Sequence, residues 1–150
     1  MIGHLPEHAA AFMELFARLE HAMRRNGYAR NDRHVAFVDW RRFANELGGE
    51  FFAYIVSSQK AETLVVEPPR VYYRGRGLQP NVQTPIINVV QLFERGVRQV
   101  RNNIVHGEKY VDLATERDDA LVTQAHWVLQ QAIARHPRAH AILARYEPMT

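Results

Sequence analysis

The stretch TPIINVVQLFERGVRQVRNNIVHG, residues 84–107, decides how the rest of the chain is read. Within it Ile86, Val89, Val90, Phe93, Val97, Val100 and Ile104 recur at three- and four-residue steps, the spacing of one buried helical face. Thr84 is a natural N-cap, Pro85 suits the first helical position, and Gly107 supplies a stop. So broad an apolar face needs partner elements, which predicts a central helix held firmly by tertiary packing.

Working outward, Ala9, Phe12, Met13, Phe16, Leu19 and Met23 predict a first helix from Pro6 to about Asn26, ended by Gly27. A polar link, Arg30-Asn31-Asp32-Arg33-His34, leads to a second helix near Asp39 with the stripe Trp40, Phe43, Leu47, Phe51, Ile55. Gly48-Gly49 interrupts that stripe at about 1 kcal/mol of helix propensity per glycine, which predicts a kink or a close helix contact. Residues 61–83 lose the helical period: Leu64-Val65-Val66 is short and β-prone, and Pro68-Pro69, Gly75, Gly77 and Pro80 punctuate the remainder. After Gly107, Asp112 or Thr115 is suited to cap a last long helix with the stripe Leu121, Val122, Ala125, Val128, Leu129, Ala132 and Ile133. His136-Pro137 ends it, and a short tail helix comes next, around Ala139 to Tyr146. The expected fold is all-α: an antiparallel helical bundle of four to five helices, with a long irregular connection between the second and third long helices, forming a single domain over residues 1–150.

Composition narrows the chemistry. The chain has 150 residues, 47% of them hydrophobic, which suits one globular core. No apolar run is long enough to span a bilayer and no signal peptide opens the sequence, so a cytoplasmic protein without a membrane partner is expected. Cysteine is absent, which excludes disulfides, thiolate metal sites and thiol nucleophiles. A net charge of +3 and a pI near 9.5 permit a polyanionic partner without demanding one. Lys60 and Lys109 are the only lysines among 19 cationic residues, so arginine, the better bidentate phosphate ligand, carries nearly all the positive charge.

The end of the central helix concentrates polar chemistry. Asn102 and His106 are four residues apart and share a face, so the carboxamide is placed to orient the ring or to hold a phosphate oxygen. Arg101 is about 140° away from His106 around the axis and has to bend back to meet it. A permanent cation, an amide and an imidazole are what RNA cleavage needs without a metal. His106 is suited to proton transfer as base or acid, and Arg101 to stabilising the crowded phosphorane. Arg98 shares a face with Arg101 and Asn102 and is a candidate RNA contact. The connection carries Arg70, Tyr72, Tyr73, Arg74 and Arg76, and interleaved Arg and Tyr suit an unpaired strand. Each feature has a plainer alternative: Arg101 paired with a carboxylate, His106 capping the helix C-terminus, and a solvated loop whose tyrosines cover the core. His136 and His140 at four-residue spacing give a weak metal signal with no third ligand, so neither metal nor cofactor is expected.

An Arg-Asn-x-x-x-His string closing a hydrophobic helix in a small all-helical chain resembles the HEPN superfamily (higher eukaryotes and prokaryotes nucleotide-binding). The opening helix with Phe12, Leu15, Leu19-Glu20 and Asn26-Gly27-Tyr28, the Asp39-Trp40 and Phe43 segment, and the His-Gly ending add to the likeness, which covers roughly residues 5 to 135. The resemblance is to HEPN domains of phage-defence and abortive-infection proteins. It implies a metal-independent endoribonuclease acting as a toxin or antiviral-defence effector, with Arg101 and His106 of two protomers joined in one cleft across a homodimer. RNA is then the expected substrate, and an antitoxin or defence-system protein a possible partner. A non-catalytic HEPN-like module that binds RNA, a nucleotide or a partner protein is the alternative. One departure stands out: HEPN toxins paired with a minimal nucleotidyltransferase commonly carry a tyrosine two positions after the motif histidine, where this chain has Glu108. That departure argues against such a pairing.

Overall fold

Helix α1, Glu7–Arg24, opens behind Pro6 with Glu7 in its first turn, where a carboxylate favours the positive end of the helix dipole. In the computed structural model, which describes residues 5–32, 35–73, 77–78, 84–106 and 116–146, it buries Ala9, Phe12, Phe16, Leu19, Ala22 and Met23. Gly27 adopts φ 94°, which lets the chain reverse so that the Tyr28 amide reaches the Met23 carbonyl at 3.0 Å.

The segment expected as a polar link is an antiparallel hairpin. Strand β1 (Ala29–Asp32) pairs with β2 (Val35–Val38), placing Ala29 opposite Val38 and Arg30 opposite Phe37. A backbone hydrogen bond of 2.7 Å from Asp39 to Tyr28 closes its base. Each strand is only four residues long, too short for an alternation to stand out, and packing of β2 on α1 supplies what local pattern does not.

Helix α2, Trp40–Ser58, starts where Asp39 caps it, its carboxylate accepting the Arg42 amide at 3.0 Å. The expected kink is present: Gly48 has φ 80° and ψ 176°, a backbone region essentially reserved for glycine. Nothing lies within 4 Å of a Cβ placed there, so the conformation alone excludes a side chain. Gly48→Ala is expected to destabilise the fold by about 1–3 kcal/mol, whereas Gly49→Ala, in ordinary helical backbone, should be neutral or slightly stabilising. Urea unfolding of the two variants checks this, and equal midpoints would contradict it.

The described part of residues 61–83 is more regular than the sequence suggests. Leu64-Val65-Val66, read as β-prone, belongs to a short helix α3, Glu62–Val66. Its Leu64 is fully buried, with its amide donating to Gln124 Oε1 at 2.8 Å, so tertiary contacts override local preference. A second hairpin, β3 (Tyr72–Tyr73) with β4 (Gly77–Leu78), comes next.

The central helix comprises α4 (Val89–Gln91), a π-helical turn (Leu92–Val97) and α5 (Arg98–His106). It begins four residues later than Thr84-Pro85 predicts. Asn88 is the cap, its Oδ1 accepting from the Gln91 amide at 2.8 Å, while Gln91 Oε1 returns to the Ile87 amide at 3.1 Å. That reciprocal arrangement satisfies more open amides than Thr84 would. In the π turn, Gly96 gives the close contact with Ile86 and Leu64: a Cβ there would stand 3.2 Å from Ile86 Cδ1.

Helix α6, Glu116–Arg135, packs against α1, α2, α3, the π turn and α5, and α7, Ala139–Ala144, closes over α1 and α6. The core is an aromatic stack. Trp40 lies between Phe16 (5.2 Å) and Phe93 (5.7 Å), and Phe43 meets Trp40 and Phe93 edge-on. The all-α helical bundle expected from the sequence is therefore what forms, with two small hairpins added. No described helix is long and apolar enough to cross a membrane.

Candidate functional site

The buried face of the central helix fixes where its polar end points. Val100, Asn103 and Ile104 are buried, Arg98, Arg101 and Asn102 are half-buried, and Val105 and His106 are exposed. Arg101 leans toward α1, its guanidinium 5.5 Å from the Phe16 ring centre, and Nη1 donates to Asn102 Oδ1 at 2.9 Å. The carboxamide oxygen thus holds the guanidinium, a use that the four-residue spacing from His106 does not reveal. Among the described residues Arg101 forms no ion pair with a carboxylate, and its remaining donors are oriented by two neighbours without being neutralised.

Asn103, which the motif spacing leaves without a role, is the polar residue that organises this region. It is buried, accepts from Gln99 Nε2 at 2.9 Å, and donates through Nδ2 to the Arg70 carbonyl at 2.9 Å. That bond ties the connection to the central helix, and β3 packs directly on α5. A signal exists in the sequence: position 103 falls on the apolar stripe between Val100 and Ile104, where an amide needs a buried partner.

Arg70 is half-buried beside the helix, and the backbone of Tyr72 and Tyr73 lies in β3 against it. Arg74, Arg76 and Gly107 lie outside the described residues, as do Glu108 and Tyr110. Arg98 lines a cleft with residues from the first hairpin and α2. Arg95 is used elsewhere, clasping Gln91 Oε1 and the Thr84 carbonyl and so pinning the segment that enters the central helix. Glu20 is half-buried and accepts from the Trp40 indole at 2.8 Å.

A second polar cluster lies at the other end of the aromatic core. The His136 side chain is 0% exposed and stacks on Phe43 at 4.2 Å. Its Nδ1 accepts from the amides of Arg138 and Ala139, so the proton sits on Nε2 and is donated to Glu46 Oε1 at 2.9 Å. Tyr28 donates to the same oxygen, and Arg42 approaches Oε2 at 3.4 Å. Both ring nitrogens of His136 are therefore engaged in hydrogen bonds. Among the described residues no three His, Asp or Glu side chains converge on a metal position.

This cluster makes stability pH-dependent. Burial pushes the His136 pKa down, and the Glu46 contact only partly offsets it. Burial raises Glu46, but the hydrogen bonds from Tyr28 and His136 and the charge of Arg42 outweigh it and hold the carboxyl below its usual range. His126 is lowered by burial and then by His8. A histidine whose pKa is lower folded than unfolded takes up a proton on unfolding, so stability falls as pH drops below about 6.5. Glu46 adds a loss of the same sign as pH falls through its unfolded value of about 4.5 and below. Melting temperature is therefore expected to be flat between about pH 7 and 8 and to fall toward pH 5, less steeply in His136→Gln. A profile that is level down to pH 5 would contradict this account.

No protein-family model, curated protein or solved structure matches the chain. The functional reading therefore rests on the residues and their placement.

Proposed function

We propose that this protein is a metal-independent endoribonuclease, acting as a toxin or antiviral-defence effector, whose active site forms across a homodimer. The observation that carries the reading is the Arg101–Asn102 pair at the end of a firmly packed helix, with the exposed His106 one turn beyond.

One imidazole takes the proton from a ribose 2′-hydroxyl, and the oxygen attacks the adjacent phosphorus. The bond to the 5′-oxygen breaks, the departing oxygen receives a proton, and a 2′,3′-cyclic phosphate remains. Arg101, already oriented by Asn102 and Phe16, donates to the non-bridging oxygens as charge accumulates. Two proton transfers need two groups, and a two-fold contact between α5 ends would bring His106 of each protomer to one cleft. Val105, 48% exposed beside His106, gives that contact an apolar element. Asn103, through the Arg70 carbonyl, holds the start of the Arg- and Tyr-rich connection beside the same helix, where Arg70 would contact the strand.

The test is incubation of the purified protein with RNA in EDTA, with end-group analysis of the products. Cyclic phosphate or 3′-phosphate ends support the proposal, and intact RNA bound without turnover supports the non-catalytic module instead.

A further inference from the structure

Beyond Arg98 itself, already a candidate RNA contact, the cleft that Arg98 lines is not used by the ribonuclease reading. It measures ≈ 250 Å³ and is walled by Arg30, Phe37 and Val38 of the first hairpin, Trp40 and Arg41 of α2, and Glu94 and Arg98 of the central helix. Arg30 and Phe37 are directly opposed across β1 and β2, so their side chains leave the hairpin on the same face. Phe37 is 49% exposed, an unusual position for the one large aromatic of a short hairpin. Arg41 is held at the rim by Glu94 at 3.3 Å. Three guanidinium groups against one carboxylate leave a net charge of +2 (3 − 1) around a partly apolar floor.

The cleft is also aligned with the candidate active site. Arg98, Asn102 and His106 succeed one another at four-residue intervals, a polar line about 12 Å long on α5. We infer that this cleft is a binding subsite for an unpaired RNA strand, in which Phe37 stacks on a base, Arg30 and Arg98 hold flanking phosphates, and the strand continues along α5 toward His106. An exposed aromatic face beside planar cations is the combination that binds single strands regardless of sequence. A duplex keeps its bases stacked internally and offers Phe37 nothing to stack on. The inference rests on RNA being the substrate but not on its being cleaved.

Binding is measured in the full chain carrying His106→Ala, so that RNA is not consumed, by fluorescence anisotropy of a labelled single strand of about ten nucleotides. Phe37→Ala is expected to weaken binding about five- to hundredfold, the loss of one stacked base. Arg30→Gln with Arg98→Gln should lower the slope of log affinity against log salt by about 1.4, two single-strand phosphate contacts. Glu94→Gln, which removes the carboxylate from the described wall of the cleft, should tighten binding, an outcome that general damage to the fold would not give. Equal binding of a duplex of the same length, or of 5′-AMP as tightly as the oligonucleotide, overturns the single-strand assignment. Unchanged binding in Phe37→Ala overturns it as well, even if the wild type cuts RNA. Conversely, an inert wild type whose strand binding still depends on Phe37 and Arg30 removes the ribonuclease reading and leaves the subsite standing.

Discussion

His106→Ala should slow RNA cleavage by about 10²–10⁴-fold and Arg101→Ala by about 10²–10³-fold, each in a chain that remains folded. His106 is exposed at the end of α5, so its truncation removes little packing. The Arg101 guanidinium contributes a cation–π contact to Phe16 and a bond to Asn102, together about 1 kcal/mol of stability. Melting curves near that of the wild type would therefore separate a chemical defect from an unfolding one. Arg101→Lys should recover little, because a single ammonium does not present two parallel donors to a phosphate. Asn102→Ala should have the smaller effect of a positioning residue: the guanidinium stays charged but loses its anchor. Cleavage at wild-type rates in both His106→Ala and Arg101→Ala would remove the proposed site.

Trp40→Ala is expected to destabilise the protein by about 3–5 kcal/mol, the range for removing a buried large aromatic. Trp40 is 2% exposed and central to the aromatic stack, touching Phe16, Phe43 and Phe93 from three helices. Its indole also donates to Glu20 Oε2, so truncation leaves a cavity and deprives a half-buried carboxylate of its donor. Trp40→Phe keeps most of the ring contact and loses the hydrogen bond, so its cost should be less than half as large. Chemical denaturation of the two variants gives the comparison directly. Equal and small midpoint shifts would mean that the stack is not the organising core.

The helices are legible in the sequence because their apolar positions repeat over several turns. The stripe Trp40, Phe43, Phe51, Ile55 is buried as its spacing requires, with Leu47 half-buried, and Gly48 bends the helix where two glycines interrupt the pattern. The elements that are not legible have no local repeat. Hairpin β1–β2 and helix α3 are too short for periodicity and depend on contacts from α1 and Gln124. The central helix starts later than expected because Thr84-Pro85 satisfies a familiar pattern, while Asn88 and Gln91 satisfy a better one three residues apart. Within the candidate site, the types of Arg101, Asn102 and His106 are readable, but the pairing of Arg101 with Asn102 depends on where Phe16 stands. The Glu46–His136 bond joins residues 90 apart, and nothing near either one announces it.

The π turn at Leu92–Val97 adds a consequence for how this chain tolerates change. A π turn closes its hydrogen bonds one residue later than an α turn, so everything after it is rotated by about 100° relative to an uninterrupted α-helix. The azimuth of Arg98, Asn102 and His106 is thus set by the π geometry of this turn together with the number of residues between Asn88 and Arg98. Conservative replacements there leave the bearing of the polar line intact. Tightening the turn to plain α-helix at the same residue count would swing that line by about 100°, away from Trp40 and β3, while preserving every residue type on it. Loss of the one extra codon would instead restore the α-helix and leave the line where it stands.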